Sequence, residues 1–174
     1  MALTPPPGAG AKLRATVLEA LITELRPIYA RKSVDETVNG SASLQNDDHL
    51  VVTLAASATY EFEALIFYSS GTTPDIKFAF TFPAGATCSW APVGLKFDGV
   101  NFEAEVRTST WQAASGTSNA VAGTAATYDT ARLRGIIRLG STAGALQLQW
   151  AQNTSNGSNT TVKADSFLVA RRLD

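Results

Sequence analysis

Two runs decide the fold: Thr59-Tyr60-Glu61-Phe62-Glu63-Ala64-Leu65-Ile66-Phe67-Tyr68 and, after a Ser69-Ser70-Gly71 turn, Ile76-Lys77-Phe78-Ala79-Phe80-Thr81-Phe82. In an extended chain successive side chains point to opposite faces. Tyr60, Phe62, Ala64, Ile66 and Tyr68 then share one face of the first run, and Ile76, Phe78, Phe80 and Phe82 one face of the second. Burying each such side chain is worth about 1.5–3 kcal/mol, so both faces are expected in a core. Outward from them, 50–54 reads as a strand, and further strands are expected near 87–91, 100–110, 132–139, 145–151 and 165–171. Turn residues separate them at 83–85, 98–99, 140–144 and 153–159. The stretch 112–130 is small, polar and barely periodic, and reads as a long loop or short edge strand. Roughly eight or nine strands with no interleaved helix predict an all-β fold, an antiparallel β-sandwich of jelly-roll-like type.

Ahead of the strands the sequence changes character. Residues 1–10 contain Pro5-Pro6-Pro7, which favours an extended arm without backbone donors of its own. Residues 11–28 are expected to form one short helix: Leu13, Val17, Leu21 and Leu25 recur every four residues, and Pro27 ends the pattern. In heptad terms Leu18, Leu21, Leu25 and Ile28 fall on one seam. A lone helix of this length is marginal in water, so it needs a partner, either the β domain or its own copies. The division is thus an anchoring arm at 1–10, an oligomerisation helix at 11–28 and a β-sandwich at 29–174.

Composition excludes several classes. Charged residues make up 17% of the chain, against the ~25% usual in globular domains, so its polarity comes mainly from Ser, Thr, Asn and Gln. The formal net charge is −1, without the basic surplus that phosphate binding requires, so nucleic acid is not an expected partner. Arg132, Arg134 and Arg138 alternate with apolar residues and read as solvent-facing strand positions. A single cysteine, Cys88, rules out an internal disulfide. No apolar run is long enough to span a membrane, and the charged, proline-led N-terminus does not resemble a signal peptide. Synthesis and folding in a cytoplasm are expected.

The sequence offers little for catalysis. His49 is the only histidine, so one chain cannot build a multi-histidine metal site. Asn46-Asp47-Asp48-His49 can be read as a carboxylate–imidazole pair, or more plainly as a turn whose Asp and Asn side chains bond local backbone. Cys88 lies in an expected strand, away in sequence from that histidine, and reads as a buried, inert thiol. Glu61 and Glu63, like Glu103 and Glu105, lie on one face of a strand rather than across a cleft, so they read as outward charges and not as a glycosidase pair. No cofactor is expected and the reading is non-enzymatic. Trp111 and Tyr128 are the aromatic residues best placed by sequence for stacking on a carbohydrate, with core or interface packing as the alternative.

The run from Tyr29 to Leu50, followed by Ala58–Tyr68, Asp75–Ala86 and Gly144–Ser155, resembles a β-sandwich module in virion proteins of tailed phages of actinobacteria. The resemblance covers roughly residues 29 to 172 and includes minor tail, fibre-tip and head-decoration types. It implies a homo-oligomer, a homotrimer above all, displayed on the virion after synthesis in the host cytoplasm. Other capsid or tail proteins would be its partners, and host cell-surface polysaccharide a further one. It carries no catalytic motif. Because the sequence starts only a few residues before the module, a head decoration protein, short head fibre or small tail protein is expected. A receptor-binding tip is the alternative.

Overall fold

The computed structural model describes residues 15–96, 105–108 and 112–174. The arm at 1–10, Leu13, Glu103 and Trp111 lie outside the described residues. One helix, α1 (Ala15–Leu25), precedes the strands β1 (Ile28–Arg31), β2 (Glu36–Val38), β3 (Gln45–Leu54), β4 (Thr59–Ser69), β5 (Ile76–Thr81) and β6 (Thr87–Lys96). After them come β7 (Glu105–Thr108), β8 (Asn119–Val121), β9 (Asp129–Arg138), β10 (Gly144–Gln152), β11 (Thr160–Val162) and β12 (Phe167–Arg172).

The junction at Pro27 differs from the heptad reading. Proline ends the helix, and the chain passes at once into β1. Ile28, expected on the oligomerisation seam, is instead a strand residue opposite Ala170, packed against the core. The sandwich therefore begins at Ile28, and the helical seam ends no later than Leu25.

Eight strands form one sheet in the order β1-β12-β4-β9-β6-β7, with β2 and β11 paired to each other and β11 also to β4. Four strands form the second sheet in the order β3-β10-β5-β8. Every pairing is antiparallel, and five of them are nested: β5 with β8, β4 with β9, β3 with β10, β2 with β11, and β1 with β12. The chain is thus one long antiparallel ribbon, doubled back on itself at the β5–β8 connection. From β2/β11 inward, successive arms of the ribbon alternate between the two sheets, which is the winding of a jelly roll. The β6–β7 hairpin is inserted in that connection and extends the larger sheet beyond β9.

Winding sends the connections to two opposite ends. The turns 39–44, 70–75, 122–128 and 153–159 gather at one end. At the other lie the turns 55–58, 82–86 and 139–143, the start of β1 and the end of β12, where the Leu173 N–H donates to the Thr59 carbonyl. Helix α1 enters at this second end and touches β12.

Between the sheets the alternation read from the sequence holds. Tyr60, Phe62, Ala64, Ile66 and Tyr68 of β4 are buried against Ile76, Phe78 and Phe80 of β5, while Phe82 is only partly buried. Aromatic rings interlock there: Phe62 meets Phe80 edge-on at 5.0 Å, and Phe80 meets Trp90 edge-on at 5.1 Å. Gly135 on β9 is opposite both Phe62 and Trp90 in the larger sheet. A Cβ there would come within 2.6 Å of Phe62 Cζ and of Trp90 Cβ, and within 2.5 Å of the Ser89 carbonyl oxygen. Gly135→Ala is therefore expected to overpack the centre and cost about 1–3 kcal/mol. A urea melt should show a lower midpoint at unchanged slope; an unshifted midpoint would mean that the rings move aside freely.

Candidate functional site

A buried ionic cluster closes one corner of the sandwich. β1 and β3 are both edge strands, one in each sheet, and they meet across the open side. Lys32, in the interruption between β1 and β2, is fully buried. Its Nζ lies 2.8 Å from Asp47 Oδ2 and 2.5 Å from Glu36 Oε2. Asp47 is buried too and sits in an irregularity of β3, where the register against β10 shifts between Gln147 and Gln149. Its second oxygen, Oδ1, accepts the backbone N–H groups of His49 and Leu50, each at 2.9 Å. Glu36 Oε1 accepts from Gln45 Nε2 at 2.6 Å, and Oε2 also from the Asp48 N–H at 3.3 Å. The side-chain-to-backbone reading of Asn46-Asp47-Asp48-His49 thus describes half of the arrangement. The other half, the salt bridge to Lys32, gave no sequence signal, because a lysine between Arg31 and Ser33 reads as solvated. His49 takes Ser33 Oγ as its partner, 3.0 Å from Nε2. Among the described residues no group of three or more His, Cys, Asp and Glu side chains is placed to hold a metal ion.

The loop end carries a second polar network. Gln152, fully buried at the end of β10, accepts the N–H groups of Ser41 and Asn156 and donates to the Ser158 carbonyl, so one amide sets the 39–44 and 153–159 turns. Asp75 takes a left-handed backbone, φ 47°, a conformation Asp tolerates better than most residues. Its carboxylate accepts the Gly123 N–H at 3.0 Å, and burial holds its pKa above the ordinary 3.8. Asp129 accepts both the N–H and the hydroxyl of Thr124. The Tyr68 phenol donates to the Ala122 carbonyl, and burial, with Asp129 and Asp75 nearby, pushes its pKa far up. Tyr128 stands on this end, 66% exposed, with Lys163 Nζ 5.8 Å from its ring centre.

The segment 112–130 is not one loop. β8 lies within it as an edge strand of the smaller sheet, paired to β5. Residues before β8 lie toward the helix end, where the Gly116 N–H donates to the Phe80 carbonyl, whereas 122–128 lies at the loop end. Gln112 bridges to Trp90 in mid-strand. The two aromatic candidates therefore flank different ends of β8 in the chain, and Tyr128 is the described one.

Helix α1 leaves its apolar side uncovered. Val17, Leu18, Leu21 and Ile22 keep 45%, 44%, 38% and 48% of their surface exposed, so the β domain does not bury that face.

The outer face of the larger sheet is charged. Arg132 and Arg134 both pair with Glu63, and Arg171 with Glu61, all more than a fifth exposed, so these pairs contribute little to stability. A groove of about 580 Å³ lies over Ser89, Gly135 and Ile136, between Arg134 and Arg138. Cys88 is buried in β6, where burial pushes the thiol up to about 12 and keeps it protonated and unreactive at neutral pH.

Strand order and the separation of the two ends define a jelly-roll β-sandwich with a helical appendage. No protein-family model and no curated protein matches the sequence. Among solved structures it is similar, at 10% identity and a TM-score of 0.19, to a chain of infectious bursal disease virus, Gt strain, over 99% of this chain and 45% of that one. A chain of the Gx strain of that virus is matched at 10% identity and a TM-score of 0.19, over 83% of this chain and 40% of that one. The chain thus spans less than half the length of either viral chain, and the fold assignment rests on the strand order.

Two outcomes follow for the polar networks. Lys32→Met leaves two carboxylates at the corner without their cation and is expected to cost about 3–5 kcal/mol in a denaturant melt. Asp75, with its folded pKa raised, contributes stability that is full below 3.8 and lost as pH rises through the folded value. Asp75→Asn keeps the acceptor for Gly123 and removes the ionisation. Melts at pH 3 and pH 7 should show the variant gaining on the wild type at the higher pH; a constant difference between them refutes this account of Asp75.

Proposed function

We propose that this protein is a non-enzymatic structural protein of a virion, a homo-oligomer displayed on the particle surface. In its finer form the reading is a head decoration protein, head fibre or small tail protein of a tailed phage of actinobacteria, with the homotrimer as the favoured assembly. The observation that carries it is the uncovered apolar face of α1 at the end of the sandwich opposite the long polar turns. An amphipathic helix of 11 residues is marginal by itself. Packed against its own copies, Val17, Leu18, Leu21 and Ile22 would be covered and the sandwich would project outward, loop end first. The jelly-roll winding suits such a role, being common in viral coat and lectin domains, although fold alone does not fix function.

A second reading, recognition of host cell-wall polysaccharide, draws on the exposed Tyr128 among the polar turns of the distal end. Binding of purified host cell walls, lost on Tyr128→Ala with the melt unchanged, would favour it over pure assembly.

Light scattering separates assembly from its absence. The full chain is expected to be an oligomer, and a truncation beginning at Pro27, which keeps β1 and Lys32, a folded monomer excluded from particles. A monomeric full chain, or continued incorporation of the truncation, overturns the helix as the anchor.

A further inference from the structure

We propose that Lys32 and Asp47 condense into an intramolecular amide, with Glu36 as the proton carrier, and so join the edges of the two sheets covalently. The three groups have the arrangement such a reaction needs. The nucleophile, Lys32 Nζ, is 2.8 Å from Oδ2 of the carboxyl group to be attacked. The other oxygen, Oδ1, is held by two backbone N–H groups, those of His49 and Leu50 at 2.9 Å each, which is the donor pair that stabilises the oxyanion of a tetrahedral intermediate. Glu36 Oε2 is 2.5 Å from the same Nζ and its Oε1 is fixed by Gln45, so this carboxylate is positioned to move protons between nitrogen and leaving oxygen. Lys32 and Asp47 are both fully buried, and Glu36 is 14% exposed, so bulk water does not compete at the carbonyl carbon.

In the starting state Lys32 is an ammonium and Asp47 a carboxylate. Glu36 relays one proton from Nζ to Oδ2, leaving a neutral amine and a carboxylic acid. The amine lone pair attacks Cγ, forming the N–C bond and placing negative charge on Oδ1, between the two backbone donors. Glu36 then takes a second proton from nitrogen and delivers it to Oδ2. The Cγ–Oδ2 bond breaks, water leaves, and Glu36 returns to its first state. No oxidant, cofactor or second substrate is needed. Two buried charges vanish in the product, which removes the cost of keeping them from water and favours the amide. Holding both groups in place supplies the effective concentration that the same pair lacks in solution. The bond would span the corner where β1 meets β3, toward the end of the sandwich that carries the 39–44 turn.

Intact-mass measurement of the full chain, incubated folded at neutral pH, tests this. The expected mass is one water below that of the sequence, and proteolysis should release a branched species joining the Lys32 and Asp47 peptides. In Asp47→Asn the same attack expels ammonia, so the loss should change from one water to one ammonia. Glu36→Gln should keep its full mass. A wild-type chain at full sequence mass, or one that loses water without the branched peptide, as an imide at Asp98-Gly99 would, overturns the proposal. Complete condensation in Glu36→Gln overturns the assignment of Glu36. Should either variant fail to fold, the branched peptide of the wild type decides the matter.

Discussion

Three aromatic rings in the gap between the sheets set what the rest of the chain must do. Phe62, Phe80 and Trp90 meet edge to face, one from the smaller sheet and two from the larger, and their rings occupy the space that a side chain on β9 would otherwise take. That position is Gly135. Interiors pack at crystal-like density, so a contact of this kind fixes the registers of β4, β9 and β6 together. A slip of one residue would turn Phe62 and Trp90 outward and leave Gly135 beneath a void. Sheet register here is a consequence of side-chain volume at a few positions, not of backbone hydrogen bonding, which any register satisfies.

Nesting gives the pairings an order in sequence. The innermost pair, β5 with β8, closes around the inserted hairpin, and each further pair joins residues more distant along the chain until β1 meets β12. Distant pairs have the larger entropy of closure to overcome. The outermost one is short, four residues of β1 against the last strand. It lies at the sheet edge and carries the helix. The buried Lys32–Asp47–Glu36 cluster is one step along the chain from that outermost pairing. It ties the β1 edge to the facing edge of the other sheet.

Legibility from sequence followed period and length. The long strands β3, β4, β5, β9 and β10 were readable because each shows at least three apolar positions in alternation, and Glu61, Glu63, Arg132 and Arg134 were correctly expected to face out. The strands β1, β2, β8 and β11 have three or four residues each, too few for a period to emerge, and they form through their partners. Ile28 was misplaced for a related reason: an apolar residue just after a helical stripe fits the heptad as well as a strand, and only the break at Pro27 separates the two. The ionic corner was illegible because its members are distant in kind as well as position. Asp47 belongs to a local backbone motif that sequence does announce, whereas nothing about Lys32 distinguishes it from a solvated lysine until β1 and β3 are brought together.

The two ends of the sandwich divide the chain's tasks by chemistry. At the distal end polar side chains are spent on shaping turns: the Gln152 amide serves two of them, Asp75 and Asp129 serve 122–124, and Tyr68 anchors the same segment from the core. Such turns are held from beneath, and their outward side chains, Tyr128 among them, are free to vary without loss of fold. At the proximal end the apolar positions of α1 have no such support, and their exposure is a cost to a lone chain in water. A fold that rigidifies one end and leaves an apolar helix unsatisfied at the other is polar in the sense an attached, outward-facing protein requires. Covering that helix, rather than any reactive group on the surface, is what the proposed assembly would supply.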